Sequence, residues 1–232
     1  MLYVLREPQT VHFCNAIDFL EKMGFNQTII IAKLNDMHMK GKHEEILNNF
    51  FNGIVNDNGE DFASKISGYC QVYAPYYICM LESDDSEYHT FVLESIKNSI
   101  GQGMHEQIWC LFSTEDMPRR AFDMFSVRSM PPNNSQIELK GLQQIERVQK
   151  IYSVMLQIGT EATAIMNDPK KGKSNLEGML VNNAQQLPAQ EDLLSAIDAN
   201  VLTLAEHLDF FSPPDILLED ELCWPVKPDL DY

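Results

Sequence analysis

The sequence predicts an α+β fold: a ferredoxin-like β-α-β-β-α-β-β sandwich with both helices on one face of a mixed sheet. Three observations predict it. Thr28-Ile29-Ile30-Ile31-Ala32 is a short β-branched run of the kind buried inside a sheet. Two strand-like runs, 68–73 and 77–81, are separated only by Ala74-Pro75-Tyr76, a connection so short that it implies an antiparallel hairpin. Two helix-spaced segments, 44–56 and 86–100, alternate with the strands.

Taken in order, the N-terminal segment 1–25 reads as an amphipathic helix, with Val11, Phe13, Cys14, Ile17, Phe19 and Leu20 on one face and Gly24 as its stop. The sandwich spans 26–132. After the first strand, Ile46, Leu47, Phe50, Phe51 and Ile54 share a helix face, and Asn56-Asp57-Asn58-Gly59 breaks it. The hairpin follows. Asp84-Asp85-Ser86-Glu87 then offers caps and negative charge to the free N–H groups of a helix carrying Phe91, Val92, Ile96 and Ile100. Residues 107–112 and 122–130 supply the last two strands before Pro131-Pro132.

Beyond the sandwich, 133–166 holds Leu139, Leu142, Ile145, Val148, Ile151, Tyr152, Met155 and Ile158 at three- and four-residue steps. This long stripe must bury against the open sheet face or a partner helix. Residues 167–190, with Pro169, Gly172 and Pro188, read as a linker. Residues 191–211 read as one more amphipathic helix bearing Leu193, Leu194, Ile197, Val201, Leu204 and Leu208. The segment 212–232 mixes apolar clusters with acids and is interrupted by proline.

Charge excludes some partners. The 232 residues carry 17 basic and 34 acidic side chains, a formal −17. Neither nucleic acid nor an anionic membrane surface is an expected partner, since both need clustered Lys and Arg. Ten of those net charges fall in 191–232, where eleven acids face Lys227 alone, so the acidity belongs mostly to the C-terminal region. No run approaches eighteen apolar residues, and the N-terminus lacks a signal peptide's apolar core. Five scattered cysteines without a C-x-x-C pair suit reduced thiols in a cytosolic compartment, not a disulfide framework or structural zinc.

Motifs for chemistry fail on context. Gly101-Gln102-Gly103 follows a helix and precedes a strand, the reverse of a dinucleotide site. Asp57-Asn58-Gly59-Glu60-Asp61 puts glycine where an EF-hand needs a ligand. His38 and His43 bracket Lys40 and Lys42, which repel a cation. Glu82, Asp84, Asp85 and Glu87 are explained as a helix-capping cluster, and Arg119-Arg120 as an exposed turn. No enzyme and no metal site is expected.

The stretch from about Gln27 to Met130 resembles the BLUF family of blue-light-sensing flavin domains. Three matches carry the resemblance: Ile66-Ser67-Gly68 to the family's I-T-G; Tyr77-Ile78-Cys79-Met80-Leu81-Glu82-Ser83 to its F-L-Q-x-L-E-G strand; and Arg120-Ala121-Phe122-Asp123-Met124-Phe125-Ser126-Val127 to its R-x-F-x-x-W-x-M ending. The resemblance implies a flavin site, but its key positions are altered. Ile30 stands for the redox tyrosine, Cys79 for the relaying glutamine, and Phe125 and Val127 for the terminal Trp and Met. Asn58 is the candidate for the flavin-facing asparagine. Isoleucine has no redox chemistry, and a thiol is a weak donor in place of an amide. No light cycle and no cofactor, FAD included, is expected.

The L-E-S ending and the Ala32-Lys33 pair look closer to the non-photosensory BLUF-like proteins of eukaryotic cilia and flagella, including testis-expressed ones. That resemblance implies a non-enzymatic structural component of the axoneme, in a radial-spoke or other microtubule-associated assembly. Its expected partners are other axonemal proteins with basic surfaces. The acidic tail either packs on its own domain or is the partner-binding element, with Ile216, Leu217, Leu218, Leu222, Trp224 and Pro225 as anchors and the acids for steering. The competing reading is a working flavin photoreceptor of the BLUF type.

Overall fold

β1 (Phe25–Leu34) is the first element of the structure, a computed structural model that describes residues 24–35, 43–59, 64–129, 139, 141–166 and 187–211. The expected N-terminal helix, the 212–232 tail and most of the linker lie outside these residues. Residues 28–32 are wholly buried on both faces, the signature of a central strand whose apolar run does not alternate. The chain continues through α1 (His43–Asn58), β2 (Ile66–Val72), β3 (Tyr76–Ser83), α2 (Ser86–Asn98), β4 (His105–Met117) and β5 (Phe125–Ser129). Each element expected within the sandwich is present, but β1 and β4 extend well beyond their apolar centres, because ladder pairing also holds polar residues such as Gln27 and Thr114.

The five strands form one sheet in the order β4-β1-β3-β2-β5. The first four are mutually antiparallel, while β5 lies parallel to β2. This is the ferredoxin-like arrangement with a fifth strand added at one edge, an α+β fold as the sequence predicts. Gly68 is required within it. Its φ is +150°, and a Cβ there would come 2.1 Å from the Met80 carbonyl oxygen across the hairpin, so only glycine allows that approach.

α1 and α2 cover one sheet face. Leu47 and Phe51 from α1 and Val92, Leu93 and Ile96 from α2 meet Ile30, Ala32, Cys70, Cys79 and Val127. Asp85 caps α2 as expected, its carboxylate accepting the amides of Glu87 at 3.0 Å and Tyr88 at 3.2 Å. The other face is covered in cis by α3 (Gln144–Met166), which meets the alternation of expected occupants in favour of the sheet. Ile151, Val154, Met155, Ile158 and Ala162 bury against Ile29, Ile31, Tyr69, Ile78 and Met80. The helix starts at Gln144, although Leu139 ahead of it is already buried in the same core. Covering both faces makes a three-layer unit of the expected two-layer sandwich.

The single helix expected over 191–211 is instead two, α4 (Gln190–Leu194) and α5 (Leu204–Phe211), and they serve opposite sides of the sheet. Leu193 and Ala196 join the α3-side core, whereas Leu204 and Leu208 join the α1/α2-side core. Between them the chain rounds the β4 edge, where the Cys110 amide donates to the Leu202 carbonyl at 2.9 Å and Trp109 bridges Thr203. The break has a local cause. Thr203 and Glu206 form a capping box: the Glu206 amide donates to Thr203 Oγ1 at 3.2 Å, and the Thr203 amide donates to Glu206 Oε2 at 2.8 Å. Leu187, inside the expected linker, is fully buried in the α3-side core.

Candidate functional site

The positions singled out by the flavin resemblance fall together. Ile30 on β1 is paired with Cys79 on β3, Cys79 with Cys70 on β2, and Cys70 with Val127 on β5. Ile30, Cys79 and Val127 therefore occupy one row across the sheet, on the α1/α2 side. Phe125 lies one pleat away, its ring centroid 4.4 Å from that of Phe51. The row is packed: Ile30 and Cys79 have no accessible surface, and Leu47, Phe51, Val92, Leu93 and Ile96 close over it. Asn58 is the last residue of α1, and its side chain lies outside the described residues.

This surface offers a flavin ring two thiols and otherwise only hydrocarbon. Burial, with Cys79 alongside, pushes the Cys70 thiol well above the ordinary range; burial pushes Cys110, three strands away on β4, up to about 12. These thiols stay protonated and are poor nucleophiles. Ile30 and Tyr69 do not share a pocket: Tyr69 points to the α3 side, where its ring stacks on Phe122. The side chains present therefore do not fit the ring that the resemblance places here.

The polar chemistry lies elsewhere. Glu82 belongs to no helix cap; it is fully buried and ties four segments together. Its oxygens accept the amides of Ala121 at 2.9 Å and Phe122 at 2.8 Å, Gln27 Nε2 at 2.6 Å and the Ser67 hydroxyl at 3.4 Å. Tyr152 of α3 donates to Gln27 Oε1 at 2.8 Å, extending the network to the outer helix. Burial lifts the Glu82 carboxyl above its usual range, and the two amides, Gln27 and Ser67 pull it back. Arg120 is not an exposed anion grip either: it donates to the carbonyls of Ser64 at 2.9 Å and Lys65 at 2.8 Å and pairs with Asp84 at 3.1 Å. The signal for Glu82 in the sequence is its place inside the strand-like run ending Leu81-Glu82-Ser83, ahead of the caps of α2.

Two histidines meet where α5 packs on α2 and β4. His89 bonds Thr28 Oγ1 at 2.8 Å, and His207 faces it across a cavity of about 420 Å³ also lined by Ser113 and Glu115. Burial lowers His89 to about 4, helped by the His207 neighbour, and lowers His207 as well. Among the described residues no three His, Cys, Asp or Glu side chains gather as a metal site, and no helix is long and apolar enough to cross a membrane.

The remaining surface feature is aromatic. Phe210 is 77% and Phe211 63% exposed at the end of α5, with ring centroids 5.2 Å apart, beside Glu206 and Asp209. They lead directly into the expected partner-binding segment, whose anchors Ile216, Leu217, Leu218, Leu222, Trp224 and Pro225 lie outside the described residues. In the sequence Phe210 and Phe211 continue an apolar helix pattern; the packing leaves both mostly exposed.

Comparison with known proteins completes the description. Residues 25–213 match the family model described as testis-expressed protein 47. No curated protein matches the chain. Among solved structures, the chain is similar to a bacterial light-regulated adenylyl cyclase, with 19% identity, a TM-score of 0.36, and coverage of 61% of this chain and 36% of that one. It is also similar to photo-activated BlsA (14%, 0.37, 72% and 98%) and to the BlrP1 BLUF domain (11%, 0.33, 62% and 93%); another BlrP1 structure names Klebsiella pneumoniae as its source. The chain spans about a third of the cyclase's length. None of these likenesses bears on activity.

Proposed function

The chain belongs to the testis-expressed protein 47 family, and from that premise we propose that it is a non-enzymatic docking component of the ciliary or flagellar axoneme. The observation that carries the docking reading is the Phe210–Phe211 pair at the end of an acidic helix, two large apolar rings that stay mostly exposed although Phe211 also touches the His207 ring. Exposed aromatic anchors of this kind are the usual centre of a protein interface, and neighbouring acids steer a basic partner toward them. The flagellar setting rests on the resemblance of the sequence to BLUF-like proteins of cilia and suits a testis-expressed family, since sperm flagella are assembled in that tissue. A radial spoke or another microtubule-associated assembly is the finer setting proposed.

The old flavin row supports a binding role over a sensory one, because Ile30 and Cys79 provide neither electron donor nor amide relay. No cofactor takes part in the proposed function, and the partners are axonemal proteins with basic surfaces. The test combines two measurements on the full chain. Tagged protein in flagellated cells should stay with detergent-extracted axonemes, and Phe210→Ser with Phe211→Ser should release it. A wild-type protein that washes out with the cytosol would sink the proposal. Purified protein should be colourless; a yellow preparation with a light-dependent spectral shift would establish the photoreceptor instead.

A further inference from the structure

Sheet edges expose rows of backbone donors and acceptors that pair readily with other strands. The β4 edge is crossed in cis by 202–203. The other edge is β5. In its parallel register Phe125 lies opposite Gly68, Val127 opposite Cys70 and Ser129 opposite Val72, and the Gly68 amide donates to the Met124 carbonyl at 3.3 Å. A parallel ladder with this bond directs the backbone groups of Ser126 and Arg128 toward β2 and those of Phe125, Val127 and Ser129 outward.

One ion pair occupies that outward row. The Ser129 amide donates to Glu44 Oε2 at 2.9 Å, Arg128 Nη1 donates to the Val127 carbonyl at 3.2 Å, and Glu44 Oε1 stands 3.5 Å from Arg128 Nη1. A carboxylate thus takes the place of a neighbouring strand's carbonyl, and a guanidinium the place of its N–H. A cavity of about 170 Å³ lies beside the same edge, lined by Met124 just ahead of the strand, Ser126 on it, and Ala162 and Thr163 on α3.

We propose that the Glu44–Arg128 pair is a clip closing an adhesive sheet edge, and that the occupant it excludes is β5 of a second copy of this chain. Two identical outward rows set antiparallel match every donor to an acceptor about a two-fold axis, so a second copy completes the row with no further element. Both clip side chains are 34% exposed and belong to neither core, so their loss opens the edge without emptying the interior.

Sedimentation of the full chain tests this. Wild type should run at the single-chain mass of 26.6 kDa. Glu44→Gln with Arg128→Gln should double the mass, with new deuterium-exchange protection over 125–129. Adding Ser129→Pro, which removes an outward N–H at an edge where proline is tolerated, should return it to one chain. If the double variant proves unfolded by circular dichroism, raised salt replaces it: screening the clip should double the wild-type mass but not that of Ser129→Pro. A clip-less protein that stays single, or a doubled mass that survives Ser129→Pro, overturns the proposal.

Discussion

The Glu82 carboxylate on β3 holds the Phe122 amide at 2.8 Å, fixing the segment that enters β5 from a position fully inside the protein. Every partner of its two oxygens is a donor, whether an amide N–H, the Gln27 side-chain NH₂ or the Ser67 hydroxyl. Glu82→Gln would turn an NH₂ group against such donors. The expected cost is about 1–3 kcal/mol, read as a lower urea midpoint at unchanged slope. An unshifted midpoint would mean that the network contributes nothing net.

Gly159 of α3 approaches the same loop from the other side. A Cβ on it would lie 2.6 Å from the Ala121 carbonyl oxygen, and Thr163 Oγ1 donates to that oxygen at 3.2 Å. Gly159→Ala should therefore lift α3 from the sheet despite alanine's better helix propensity. Overpacking of this kind costs about 1–3 kcal/mol. Hydrogen exchange should quicken in α3 more than in α2; a stabilised protein would contradict the close contact.

Restoring the family's residues should not restore its chemistry. Ile30→Tyr with Cys79→Gln adds bulk and polar atoms to a row closed by Leu47, Phe51 and Ile96. The pair should lower the melting temperature and leave the purified protein without a flavin absorption band. Stoichiometric flavin uptake would show that the helices can part around the ring.

Acid should loosen α5 first. His89, held near 4 against an ordinary 6.5, binds its proton more readily in the unfolded chain, and His207 is lowered in the same direction. Their stabilising contribution is complete above about pH 6.5 and is lost as the pH falls toward 4. Amide exchange in α5 should accelerate across that window, and His207→Gln should remove much of the change. Glu115, on the rim of the cavity, would partly offset the charge.

Thr203→Ala tests the turn that sends the chain around the β4 edge. The Thr203 side chain accepts the Glu206 amide and donates to Glu206 Oε2 at 2.8 Å. Losing the cap should cost about 0.5–2 kcal/mol, seen as a lower melting temperature with increased exchange at Cys110, whose amide is held by Leu202.

The legible parts of this protein are those whose signal is local. Buried runs such as 28–32, the three-residue hairpin connection and the Asp85 cap each depend on neighbours in sequence, so the α+β order, the hairpin and α2 could be read directly. The Thr203-Leu204-Ala205-Glu206 capping box was equally local, but the apolar spacing from Leu193 to Leu208 concealed it, because residues destined for two opposite cores mimic one continuous helix face.

The sequence alone determined the element types and the concentration of acid at the C-terminus, since composition and periodicity are properties of the chain itself; that Ile30, Cys79, Phe125 and Val127 stand at flavin positions is what its resemblance implies. Only the tertiary structure decided that the flavin row is filled, that Glu82 is a buried tie, that Glu44 and Arg128 meet at the β5 edge, and that Phe210 and Phe211 face water. The physical reason is that burial and pairing are set by residues far apart in the chain: Glu82 is 40 positions from Phe122, and Glu44 is 85 from Ser129. No local pattern records which distant segment will supply the partner.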